Sequence, residues 1–110
     1  MNSREMAEKV ASKILELDET CRSMGICLEY VNEGTATLSL EIKEQHINGH
    51  GICHGGIIFT LSDSAFAFAC NSRNAASVAQ HASVTFIKPA ELGDKLFATA
   101  KEISLSLIHI

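Results

Sequence analysis

The chain has 110 residues, 46% of them hydrophobic, with a formal charge of −4 and no tryptophan, enough apolar material for one domain spanning 1–110. A pI near 5.7 and the absence of a basic cluster exclude nucleic acid as the expected partner. No apolar run approaches the roughly 18–20 residues needed to span a bilayer, and charges are scattered through the first 17 residues. A signal peptide would keep its apolar stretch free of charge, so a cytoplasmic protein is expected.

Met6, Val10, Ile14 and Leu17 recur at helical spacing and predict an amphipathic helix over 3–18. Residues 26–31 read as a strand, and Asn32-Glu33-Gly34 has turn chemistry. Ala36, Leu38, Leu40 and Ile42 then alternate with Thr35, Thr37, Ser39 and Glu41, the pattern of a strand with one face buried. The two strands form a hairpin.

Residues 46–56 form a glycine-rich loop containing Asn48-Gly49, Gly51 and Gly55-Gly56. The segment 57–70 is apolar almost throughout and predicts a helix buried on most sides, with Asp63 its single formal charge. A strand over 78–88 ends at Pro89, Glu91-Leu92-Gly93-Asp94 turns the chain, and 96–107 reads as a last strand. In that strand the apolar phase slips from Leu96, Ala98 and Ala100 to Ile103, Leu105 and Leu107, as a bulge near Lys101 would cause. The order predicts an α+β domain, an antiparallel sheet wrapped around one central helix.

Chemistry concentrates in the loop and the helix after it. A carboxylate in an apolar segment is costly unless it has partners or a task. Thr60, Asp63, Ser64, Ala67 and Asn71 share one helical face, small and polar, where a ligand is expected. The competing reading makes residues 56–61 a strand and Ser62 or Asp63 the cap of a helix starting at Ser64. A helix opening at Gly55-Gly56 would leave unpaired N–H groups facing an anion or a developing oxyanion, with no side chain in the way. The same glycines could merely make the turn. His50 and His54 are read chiefly as hydrogen-bonders that order the loop.

Four cysteines (Cys21, Cys27, Cys53, Cys70) fit a reducing compartment as small buried side chains. His46, His50, Cys53 and His54 invite a zinc reading, but their spacing matches no structural zinc pattern, so no metal is expected.

Asn48-Gly49-His50, Cys53-His54-Gly55-Gly56 and Leu61-Ser62-Asp63-Ser64-Ala65-Phe66-Ala67 together resemble the signature of the PaaI-like hotdog thioesterases, associated with phenylacetate degradation. The segments 82–89 and 93–94 are similar to that family's next strand and turn, so the resemblance covers roughly residues 24–102. It implies the hotdog fold and hydrolysis of an aryl- or medium-chain acyl-CoA to free acid and CoA, without cofactor. It implies Asp63 as nucleophile or general base and the Gly55 N–H as the donor that polarises the thioester carbonyl. Asn48 would orient that carbonyl and His54 would steady the loop. Gly56, Ser64 and Thr60 would complete the substrate site. Some relatives carry a serine where Ala79 stands here, so another group, Ser64 or Thr60 among them, would hold the water. Relatives also continue into further strands beyond this sequence, so an open sheet edge is expected. Two rival activities fit the same fold: an acyl-thioester hydratase or dehydratase using His50 or His54, and a non-catalytic acyl-CoA binder or inactive relative. The CoA phosphates could meet Arg73, Lys88 or Lys95.

Helix geometry adds an expectation about assembly. Asp63 lies eight residues beyond Gly55, about 12 Å along one helix axis at about 1.5 Å per residue. One thioester cannot touch both groups of one chain. Two antiparallel helices from a two-fold pair would bring each Asp63 beside the other Gly55, so a homodimer, or a homotetramer built from dimers, is expected. The strand over 78–88 is the expected pairing edge.

Overall fold

In the computed structural model of the chain, residues 2–72 and 90–101 are described. Helix α1 runs Ser3–Leu17. Asn2 caps it reciprocally: its Oδ1 accepts the Glu5 N–H at 2.7 Å, while Glu5 accepts the Asn2 N–H at 3.0 Å. Ala7 and Ala11, one turn apart, are fully buried beside the expected stripe of Met6, Val10, Ile14 and Leu17, of which Leu17 is 72% exposed. Small side chains let α1 lie close to its neighbours.

The predicted helix over 3–18 stops one residue early because Asp18 leaves helical geometry and caps a second helix, α2, Glu19–Met24. Its Oδ1 accepts the Cys21 N–H at 2.9 Å. Gly25 ends α2 at φ 83°, a left-handed conformation that suits glycine. Six residues are too few for apolar periodicity to announce this helix, although an Asp and a Gly mark its two ends.

Strands β1 (Cys27–Asn32) and β2 (Thr35–Glu41) form the expected hairpin. Asn32 Oδ1 accepts the Glu33 N–H at 2.8 Å, and Gly34 turns the chain at φ 74°. The register shifts between Leu28 and Tyr30, so a bulge in β1 sets Glu29 out of step. The Glu29 carboxylate accepts the Ser39 hydroxyl and lies 3.7 Å from Lys95 Nζ. Ser39, expected on the solvated face, is buried beneath it.

Strand β3 (Lys95–Lys101) pairs antiparallel with β2, from Thr35 opposite Lys101 to Glu41 opposite Lys95, giving the order β1-β2-β3. The turn before β3 forms as expected, with Asp94 Oδ2 accepting the Glu91 N–H at 2.9 Å and Gly93 at φ 91°. The predicted strand over 78–88, Pro89, Ala79, Arg73, Lys88 and the last strand beyond Lys101, with its bulge, lie outside the described residues.

Helix α3 is continuous over Gly55–Asn71. That overturns the alternative in which residues 56–61 are a strand and Asp63 caps a later helix: Leu61, Ala65 and Phe68 repeat at helical spacing onto the sheet face made by Ala36, Leu38 and Leu40. At its far end Ser72 Oγ accepts the Gly34 N–H at 2.7 Å and donates to Ala69 O at 2.7 Å, pinning the hairpin turn to the helix. Leu38→Ala, at the centre of this contact, is expected to cost about 2–5 kcal/mol in a denaturant titration. No helix among the described residues is long and apolar enough to cross a membrane.

Candidate functional site

The approach to α3 is a loop tied at several points. After β2, a 3-10 turn over Glu44–His46 leads to a bridge between Ile47 and Cys53. Within it Asn48 organises the backbone: its N–H donates to Ile52 O at 2.8 Å, its carbonyl accepts the Gly51 N–H at 3.1 Å, and its Oδ1 accepts the His50 and Ile52 N–H groups at 2.9 and 3.4 Å. The amide Nδ2 makes no bond among the described residues. Asn48 is thus a loop-former whose remaining donor is unspent.

The loop delivers His54, whose N–H donates to His46 O at 2.8 Å, and α3 begins at the next residue. The His54 side chain gives no cap, and the first turn holds no acidic residue. The Ile57 N–H is taken by His54 O at 3.0 Å. The Gly55 and Gly56 N–H groups have no backbone acceptor among the described residues. Unpaired donors at the positive end of a helix dipole favour an anion or a polarised carbonyl oxygen. A Cβ placed on Gly56 would meet nothing within 4 Å among the described residues, so their packing does not demand glycine there.

Two turns along, Asp63 lies partly exposed on the side of α3 away from the sheet. At about 100° per residue, Gly56, Phe59, Asp63, Phe66 and Cys70 fall on this outer arc. Phe59 and Phe66 are 39% and 37% exposed. The helix expected to be buried on most sides is therefore covered on its sheet side only, within the described residues.

The remaining expected site residues separate. Thr60 Oγ1 donates back to Gly56 O at 2.9 Å, satisfied by its own helix. Ser64 is turned inward, where its hydroxyl lies 3.5 Å from the Cys21 sulfur. Asn71 donates to Ala67 O at 2.8 Å, near the far end of the helix. The structure therefore gathers Asn48, His54, Gly55 and Gly56 at the helix entrance, places Asp63 on the outer face, and removes Ser64 from it.

Cys21 is fully buried, and its thiol donates to Asp18 Oδ2 at 3.3 Å. Burial pushes this thiol up to about 11; the Ser64 hydroxyl opposes the shift and the Asp18 carboxylate adds to it. Burial raises Cys53 as well. Because Cys21 holds its proton more tightly in the folded chain, its contribution to stability is complete below the ordinary value of 9.0 and is lost as pH rises toward about 11. At pH near 8 a thiol-reactive probe is expected to label exposed Cys27 promptly and Cys21 only on unfolding, as peptide mass spectrometry would show.

Among the described residues, no three His, Cys, Asp or Glu side chains come together as metal ligands. His46, part of the zinc reading, turns into the core, with Nδ1 facing the Lys43 N–H at 2.9 Å and Nε2 facing Met24 O at 3.0 Å.

Comparison with known proteins fits this geometry. The sequence pattern of the thioesterase superfamily matches residues 50–106, from the glycine-rich loop through β3. The chain belongs to the thioesterase superfamily. Its helix-on-sheet architecture is the hotdog fold of that family. It is 41% identical over 91 residues to the acyl-coenzyme A thioesterase PaaI of Escherichia coli K12, covering 83% of this chain and 65% of that relative. It is 38% identical over 101 residues to an esterase, named without certainty, of Archaeoglobus fulgidus, covering 92% of this chain and 66% of that relative. The chain thus spans just under two thirds of the length of these curated relatives. The solved structure of the E. coli PaaI protein from the phenylacetic acid degradation operon superposes with a TM-score of 0.88 at 38% identity, covering 91% of this chain and 72% of that one.

Proposed function

We propose that the chain is the subunit of a cytoplasmic acyl-CoA thioesterase that hydrolyses an aryl- or medium-chain acyl-CoA to free acid and CoA. The observation that carries this reading is the pairing on one helix of N–H donors at Gly55-Gly56, without an acceptor among the described residues, with a carboxylate, Asp63, facing outward two turns later. The names of the relatives point to the same chemistry.

In this reading the thioester carbonyl oxygen accepts the Gly55 N–H, and the Asn48 Nδ2 fixes the carbonyl from the side. Negative charge that develops on the oxygen is stabilised by a donor already in place, in the orientation the helix start imposes. Asp63 then works on the carbonyl carbon in one of two ways. As general base it takes a proton from water while the water oxygen bonds to carbon. As nucleophile it forms a mixed anhydride that water afterwards opens. In both, the C–S bond breaks, the sulfur leaves as CoA thiolate and is protonated, and one water is consumed. His54 holds the backbone at the helix entrance, and Gly56 leaves room for the ester.

Eight residues of helix, about 12 Å, separate the two groups in one chain, farther than an aspartate side chain reaches. Each site is therefore built from two copies, Gly55 from one and Asp63 from the other, in a homodimer or a tetramer of dimers.

The test is thiol release from a panel of aryl-, medium- and short-chain acyl-CoAs by the full chain. Turnover of an aryl or medium-chain ester supports the reading. Saturable binding without thiol release would overturn it in favour of a binder, and double-bond chemistry without thiol release would point to a hydratase.

A further inference from the structure

His46 is the residue of the loop that the mechanism does not use and the fold uses most. It is 2% exposed, although an imidazole in the core costs free energy unless both ring nitrogens are satisfied. Both are. A backbone N–H can only donate, so Nδ1, 2.9 Å from the Lys43 N–H, carries no proton. The ring proton therefore sits on Nε2, which donates to Met24 O at 3.0 Å. The carbonyl of the same residue accepts the His54 N–H at 2.8 Å. One residue thus joins the chain just after β2, the end of α2 and the residue that opens α3. Leucine or methionine would fill the same space without burying polar atoms, so what the imidazole adds is direction.

We infer that His46 is a positioning residue for the hydrolysis proposed above: its two ring bonds fix the backbone of His54 and Gly55, and with it the aim of the Gly55 N–H. The inference rests on the reading of Gly55 as the carbonyl's donor. An oxyanion donor acts only within about 2.7–3.1 Å of the oxygen, and a misplacement of about 1 Å can cost on the order of a hundredfold in rate. The rest of the ester binds elsewhere, so a misaimed donor should lower kcat more than it raises KM.

Two variants separate aim from bulk. His46→Met keeps the volume and removes both ring bonds. His46→Gln offers an amide oxygen to the Lys43 N–H and an amide N–H to Met24 O. Thiol release, measured well below each melting temperature, is expected to fall roughly 10–100-fold in kcat for His46→Met with KM within about twofold, and to recover most of that in His46→Gln. Amide hydrogen exchange of the full chain is expected to accelerate about tenfold or more at the hydrogen-bonded His54 and Ile57 amides in His46→Met, with β2 unchanged. A His46→Met protein that melts lower yet keeps wild-type kcat overturns the inference, as does a kcat loss without local acceleration of exchange. If the wild-type chain itself releases no thiol, the proposed function is what fails. The exchange measurement then decides alone: acceleration confined to the His54 and Ile57 amides sustains the positioning, and its absence overturns it.

Discussion

Asp63→Asn is expected to lower thiol release by roughly 10²–10⁴-fold, the range for losing a positioned proton acceptor, while leaving the melting curve in place. The substitution changes almost nothing in volume. Asp63 lies on the outer face of α3, partly exposed and away from Leu61, Ala65 and Phe68, which carry the packing. An amide can neither take a proton from water nor attack a carbonyl carbon, so the loss should fall on kcat with KM little changed. Stopped assays over a range of acyl-CoA concentrations, beside thermal melts of both proteins, provide the check. Near-wild-type turnover would remove Asp63 from the mechanism. A lowered melting temperature would assign it a structural task that its exposure does not suggest.

Gly55→Val, the companion change, is expected to cost roughly a hundredfold, the scale for one oxyanion donor. Gly55 has no positive φ, so valine meets no backbone strain there, but its branched side chain stands over the N–H that the carbonyl must reach. The larger consequence appears when the two variants are mixed. Each homodimer of Asp63→Asn or of Gly55→Val has every site damaged. A mixed dimer has one site with both defects and one with none, because the wild-type Gly55 of one subunit meets the wild-type Asp63 of the other. Random exchange would place about half of the subunits in mixed dimers, each with one intact site of its two, so activity should return to roughly a quarter of wild type. Native mass spectrometry of differently tagged subunits would establish exchange. Exchange without recovered activity would mean that the site does not cross the interface.

How much of this could be read from the chain follows the range of the interactions involved. The β1–β2 hairpin was legible because strand alternation and turn chemistry are local: Ala36, Leu38 and Leu40 announce a buried face at period two, and Gly34 supplies the turn. The glycine-rich loop was legible for the same reason, whereas local pattern left α3 open against a strand over 56–61 until its packing on the sheet decided for the helix. Once a helix opens at Gly55-Gly56, eight residues of helical rise separate Gly55 from Asp63 whatever surrounds them. Periodicity also places Thr60, Asp63 and Ser64 within one arc, but it carries no absolute direction. Only the packing of α3 on the sheet and against Cys21 turns Ser64 inward and leaves Asp63 out with Phe59 and Phe66.

The bulge at Glu29 and the burial of Ser39 depend on β1, β2 and β3 meeting, so no local pattern in β1 marks them. His46 is the sharpest case. In the sequence it is one histidine among several near a cysteine, a grouping that invites a zinc reading its spacing does not support. Its partners, Met24 O and the Lys43 N–H, are backbone atoms, one of them 22 residues away. Backbone donors and acceptors are the same for nearly every residue type, so a side chain that bonds to them leaves no mark on the partner's identity. Such a contact exists only once the chain has folded.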